Sequence, residues 1–167
     1  DPFFLYLSFY VVHTPIHPKP EKIPYYENKA RQLGLDKLVQ TTKNVDWIKN
    51  HPSPKWHWEE RLVQGSPEYA ALIESMDENI GRVLTYLKES GLDENTIVVF
   101  ISDHGYNLGE HDCWAKTSLW EGTVRVPMII SYPDNKNNHG TICKSITELI
   151  DLYPTLSELC GLSDQQP

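Results

Sequence analysis

A six-residue run, Thr96-Ile97-Val98-Val99-Phe100-Ile101, stops abruptly at Ser102-Asp103-His104-Gly105. The run is β-branched and aromatic, and apolar and polar positions do not alternate in it. That pattern marks a strand covered on both faces, as in the middle of an α/β sheet with parallel neighbours. In open α/β sheets, ligands gather just past the carboxyl ends of strands. The polar tetrapeptide therefore lies where a site is expected.

The surrounding chain fits that frame. Ser66-Pro67 reads as an N-cap and first helical residue. Beyond it Tyr69, Leu72, Ile73, Met76, Ile80, Val83, Leu84 and Leu87 recur at three- and four-residue steps, one apolar stripe on a long helix that Gly91 terminates. A third strand is expected over 126–131. A helix is expected over 150–159, broken near Pro154 and ended by Gly161. The opening Phe3-Phe4-Leu5-Tyr6-Leu7-Ser8-Phe9 reads as a further buried strand, of a type more usual inside a sheet than at a free terminus. Sequence upstream is therefore expected. The prolines from Pro15 to Pro20 then impose an extended loop. Residues 21–66 read as a surface excursion of short helices and loops, with Trp47, Trp56 and Trp58 packing it. Strand, helix, strand, loop, strand and helix together describe a layered α/β domain.

Composition narrows the function. The 167 residues carry a formal net charge of −8, without a basic face for nucleic acid. No apolar run reaches membrane-spanning length. Cys113, Cys143 and Cys160 form no CxxC pair, so a zinc knuckle or a dithiol redox motif is excluded and free thiols are expected.

An anion site in so acidic a chain must be built locally, and the segment DHGYNLGEHDCWAK (103–116) has the parts. Asp103 offers hard anionic oxygen and His104 a nitrogen, a pair able to hold a divalent cation. Gly105 and Gly109 let the backbone turn tightly around it. Lys116 supplies a compact positive charge suited to an oxyanion. Other readings stand beside these: Asp-His-Gly also caps helices and closes turns, and most lysines are solvated. Asp77, on the flank of the helix stripe, reads as structural, a partner for a backbone or arginine group.

The run DHGYNLGEHDCWAKTSLWEGTVRVPMII (103–130) resembles the metal-site and substrate-lysine region of sulfatases, within the alkaline phosphatase superfamily. Iduronate-sulfatase and choline-sulfatase members are the nearest in pattern. The opening FFLYLSFYVVHTPIHP, the 69–87 helix with Asp77 and Ile80-Gly81, and the closing ELIDLYPTLSELCGL resemble the family as well, in the right order. The resemblance covers residues 1–162 apart from the variable excursion, leaving 163–167 as a tail. It implies a three-layer αβα fold with a mixed, mostly parallel sheet, here incomplete.

The resemblance also implies roles. Asp103 and His104 match metal ligands, with Ca2+ the expected ion and Mn2+ or Zn2+ as alternatives. Lys116 matches the lysine on the sulfate, and His13 the histidine that protonates the leaving ester oxygen, a task suited to imidazole. His111, His17 and Trp114 are weaker candidates. The family's nucleophile is a formylglycine made within a Cys/Ser-x-Pro/Ala-x-Arg motif. That motif is absent from these 167 residues, so it is expected upstream and the chain alone is expected to be inactive. The implied substrate is a sulfated saccharide or small-molecule sulfate ester, in a periplasmic, secreted or lysosomal setting. Two alternatives remain: a phosphonate or phosphate ester hydrolase of the same superfamily, and a non-catalytic carbohydrate-binding α/β module.

Overall fold

The computed structural model describes residues 1–13, 15–35, 41–42, 60–61, 66–108, 114–116 and 118–162. A 3-10 turn at Pro20–Lys22 runs into helix α1 (Ile23–Gln32). Two short strands, β1 (Thr41–Thr42) and β2 (Glu60–Arg61), pair antiparallel. The excursion over 21–66 thus doubles back on itself. Trp47, Trp56 and Trp58 lie outside the described residues.

The dominant element is α2 (Pro67–Glu89), 23 residues long. Its start is fixed as the sequence requires: the Ser66 hydroxyl accepts a hydrogen bond from the Tyr69 N–H at 3.2 Å, and Pro67 occupies the first helical position. Such a cap is worth about 1 kcal/mol. Its end is set by Gly91, whose φ of +70° suits a residue without Cβ. Along the stripe Leu72 is buried and Met76, Ile80, Val83 and Leu87 are half-buried, while Ile73 and Leu84 are exposed. α1 packs against α2, and Lys22 bridges the two through Glu74, at 3.1 Å, and Glu78. The Asp77 side chain is exposed and makes no hydrogen bond or ion pair among the described residues, so the structural partner expected for it does not appear there.

A 3-10 turn (Leu92–Asn95) leads to β3 (Val98–Ile101). β3 pairs antiparallel with β6 (Met128–Ser131) in the register Val98↔Ser131 to Ile101↔Met128. The parallel neighbour expected of β3 is therefore not its described partner. An unbroken apolar run reports cover on both faces, not strand direction, and mixed sheets accommodate antiparallel pairs. Between β3 and β6 lie β4 (Asn107–Leu108) and β5 (Trp114–Ala115), an antiparallel pair, and the one-turn helix α3 (Glu121–Val124).

The last helix, α4 (Leu152–Leu159), follows a 3-10 turn at Leu149–Asp151. Pro154 does not break it. Proline falls in the first turn, where its missing N–H has no intrahelical acceptor to lose. Gly161, at φ +70°, closes the helix.

The run 3–9 differs from expectation. It pairs with no strand among the described residues, and Phe4 and Tyr6 are 87% and 76% exposed. A strand needs a ladder partner for its backbone groups, and here none is described. Among the described residues the buried side chains are Ala71, Leu72, Asn107 and Thr123. Two of these four are polar, and both lie between β3 and β6, Asn107 in β4 and Thr123 in α3.

Candidate functional site

The site is built where β3 ends. Asp103 and His104 follow β3 after Ser102, and β4 begins at Asn107. The ladder Asn107↔Ala115 and Leu108↔Trp114 folds the chain back, so that Lys116, the residue after β5, returns beside His104. Two residues 12 positions apart thereby come into contact: Lys116 Nζ stands 2.9 Å from His104 Nε2.

The bonds around His104 decide which ring nitrogen carries hydrogen. Nδ1 lies 2.8 Å from the Gly105 carbonyl oxygen, which only accepts. Nδ1–H therefore donates, and Nε2 of the neutral ring presents its lone pair, here to the Lys116 ammonium. A histidine whose Nδ1–H is anchored on a carbonyl is the usual arrangement for metal ligation through Nε2. Asp103 uses Oδ1 to accept the His104 backbone N–H at 3.0 Å. Its Oδ2 lies 3.7 Å from His104 Nε2, close enough for one ion to bond both at about 2.0–2.5 Å. Asp103 is 86% exposed and His104 34%. Two donors do not close a cation's shell, and among the described residues no group of three or more His, Cys, Asp or Glu side chains is suited to a metal.

The remaining sequence candidates are described only by their local surroundings, or lie outside the described residues. His13 is exposed; its backbone N–H bonds the Tyr10 carbonyl at 2.9 Å, and the two rings pack with centroids 4.9 Å apart. His17 is exposed in the proline-rich loop. His111, Gly109 and Cys113 lie outside the described residues. Trp114 contributes its backbone to β5, and its side chain is not described. Cys143 and Cys160 are free and exposed.

Three residues that sequence reasoning passed over hold the site from beneath. Asn107, only 1% exposed, donates from Nδ2 to Ser118 Oγ at 2.9 Å. Ser118 Oγ lies 2.7 Å from Thr123 Oγ1, which also lies 2.9 Å from the Ser118 and Trp120 carbonyl oxygens. Those carbonyls only accept, so Thr123 donates to them and Ser118 donates to Thr123. The Thr123 carbonyl in turn accepts the Gly105 N–H at 2.7 Å. Gly105 does not serve here as a left-handed turn residue. Its backbone approaches Gly122 so closely that an added Cβ would stand 2.2 Å from the Gly122 carbonyl oxygen. Tyr106 packs on Tyr69 of α2 with centroids 5.5 Å apart, fixing the loop to the long helix; burial pushes the Tyr69 phenol up.

Comparison with known proteins decides the family. The sulfatase family model matches residues 1–162. The chain belongs to the sulfatase family. It is 32% identical over 173 residues to a sulfatase of Formosa agariphila, covering 97% of this chain and 33% of that protein. It is 39% identical over 95 residues to an N-acetylglucosamine-6-O-sulfatase of Bacteroides thetaiotaomicron, covering 57% of this chain and 17% of that one. Among solved structures, yidJ of Bacteroides fragilis, assigned as a sulfatase, superposes with a TM-score of 0.68 at 29% identity, over 93% of this chain and 31% of that chain. The fold is thus alkaline-phosphatase-like α/β, in incomplete form, and the chain spans about one third of the length of such sulfatases.

Proposed function

We propose that this chain supplies the cation-and-oxyanion half of a sulfuric ester hydrolase site. One observation carries the reading: Lys116 Nζ and Asp103 Oδ2 both face His104 Nε2, at 2.9 and 3.7 Å, just past the end of β3. Asp103 and His104 would hold a divalent cation, Ca2+ by family expectation, with Mn2+ or Zn2+ as alternatives better suited to the nitrogen donor. When bound, such an ion supplies charge neutralisation at the sulfate oxygens.

The chain's own residues do the rest of this half-reaction. Lys116 donates to a sulfate oxygen and stabilises charge on the departing ester oxygen. His13, an exposed imidazole on a loop, gives that oxygen its proton. Neither task forms a bond to sulfur. The formylglycine nucleophile belongs to a Cys/Ser-x-Pro/Ala-x-Arg motif, and these 167 residues lack it. The nucleophile is therefore furnished by polypeptide outside them, and the 167 residues alone do not turn over.

Substrates are sulfated sugars or small sulfate esters, classes that the names of the relatives span. No helix among the described residues is long and apolar enough to cross a membrane. An extracytoplasmic setting forms part of the same proposal. The test is sulfate release from an aryl sulfate by the full-length protein, with Asp103→Ala and Lys116→Ala beside it. Unimpaired hydrolysis by both variants defeats the reading, as does turnover by the 167 residues alone. Preference for a phosphate or phosphonate ester reassigns the reaction.

A further inference from the structure

Asn107 is among the most buried side chains of the described residues, and it is a polar one. A buried amide costs free energy unless its groups are bonded, so a half-satisfied one needs a reason. Its Nδ2 is bonded to Ser118, but its Oδ1 has no hydrogen-bond partner among the described residues. The oxygen instead sits against Gly122, where an added Cβ would come within 2.5 Å of it. An apolar residue of similar size would fill this space without leaving an oxygen unpaired. What it would lack is the donor to Ser118.

That donor begins a relay of fixed direction. Asn107 Nδ2 donates to Ser118 Oγ, Ser118 to Thr123 Oγ1, and Thr123 to the Ser118 and Trp120 carbonyls. The last link, Gly105 N–H to the Thr123 carbonyl, returns to the turn that carries Asp103 and His104. Ser118 is two residues from Lys116, and its backbone N–H bonds the Lys116 carbonyl at 2.9 Å. Two turns that share no backbone ladder at Asp103, His104 or Lys116 are thus locked together from below by one closed circuit. Buried networks in which nearly every member is engaged set geometry more than they add stability.

We propose that Asn107, acting through Ser118 and Thr123, is a positioning residue that sets Lys116 against the Asp103–His104 turn. The inference rests on the reading of Lys116 as the oxyanion contact. A displacement of about 1 Å in such a contact is felt strongly in binding and rate, although Asn107 itself touches neither substrate nor ion.

The experiment is a double-mutant cycle in the full-length protein, read by calorimetric binding of inorganic sulfate, so that turnover is not needed. Asn107→Ala is expected to weaken sulfate binding about tenfold, the scale of one buried hydrogen bond lost. In a Lys116→Ala background the same change is expected to add less than about twofold, because its effect passes through the lysine. Ser118→Ala runs the same cycle should Asn107→Ala fail to fold. Thr123→Val, similar in size but without the hydroxyl, should mimic the loss, and Thr123→Ser should restore binding. An Asn107 or Ser118 effect that persists undiminished without Lys116, or no effect at all, overturns the positioning role. Sulfate binding unchanged by Lys116→Ala overturns the functional reading as well, and so the two failures are told apart.

Discussion

The Lys116 ammonium and the lone pair of His104 Nε2 face each other at 2.9 Å, so a lysine occupies the position at which a metal ion would bond the ring. One lone pair cannot serve both. On the proposed cation role, His104 Nε2 would hold the ion, and Lys116 would leave the imidazole with its ammonium free for an anion.

This competition makes a prediction opposite to ordinary loss of function. Lys116→Met removes a positive charge beside the cation while keeping the aliphatic stem. A unit charge and a divalent cation about 4 Å apart in water-like screening repel by about 2 kcal/mol, which is about thirtyfold in affinity. The exposure of Asp103 justifies that screening. Calorimetry with Ca2+ or Mn2+ should therefore show tighter binding to Lys116→Met and weaker binding of sulfate. A cation affinity that falls with the lysine would contradict the competition.

Gly105 offers a test of how closely the loops approach. Its Cβ would meet the Gly122 carbonyl at 2.2 Å and the Thr123 Cα at 3.1 Å, all backbone atoms that no rotamer change can move. Gly105→Ala should cost about 1–3 kcal/mol, the usual range for overpacking, seen as a lower urea midpoint. Metal heat should fall as well, because the Asp103–His104 turn is displaced. A midpoint equal to that of the parent would show that the contact with Gly122 yields easily.

Much of this arrangement was legible in the sequence, for local reasons. Ser66-Pro67 and Gly91 bound α2 because caps are set by neighbouring residues, and the strand end at Ser102 located the site. Lys116 was legible only through family resemblance, since nothing local distinguishes it from a solvated lysine. Asn107, Ser118 and Thr123 were not legible: a buried polar relay depends on which loops meet, and their only trace was small and polar residues near Gly105 and Gly122. The direction of β3 against β6 was hidden for a similar reason, because apolar cover does not encode strand sense. The run 3–9 misled because its apolar pattern promises a partner that the described residues do not provide.

Cys143 is an exposed thiol whose pKa is held below the ordinary thiol value, chiefly by the Ser145 backbone N–H and then by the Ser145 hydroxyl. Alkylation rate follows the thiolate fraction. Iodoacetamide at neutral pH should therefore label Cys143 faster than it labels a free cysteine derivative. Ser145→Ala removes the hydroxyl but keeps the backbone donor, so the rate should drop only about twofold. A pH–rate profile with an ordinary thiol midpoint would refute this.

Acid should loosen the contact between α1 and α2 before neutral conditions do. Glu78 is held below its ordinary carboxylate value mainly by its hydrogen bond from Lys22, with the charges of Lys22 and Lys19 adding to it and partial desolvation opposing it. A depressed carboxylate contributes stability that is fully present above its unfolded value and is lost as pH falls through the folded one. Lys22 is shifted the other way, upward, first by Glu78 and also by Glu74, so its contribution is full below the ordinary lysine value and disappears only in strong alkali. Melting temperatures of the parent and Lys22→Met, taken from about pH 6 down to about pH 3, should therefore differ most near neutrality and converge in acid. Added salt should narrow the gap, because the partners are partly exposed. A gap that stays constant across the acid range would mean that Lys22 holds the helices together through its aliphatic stem rather than its charge.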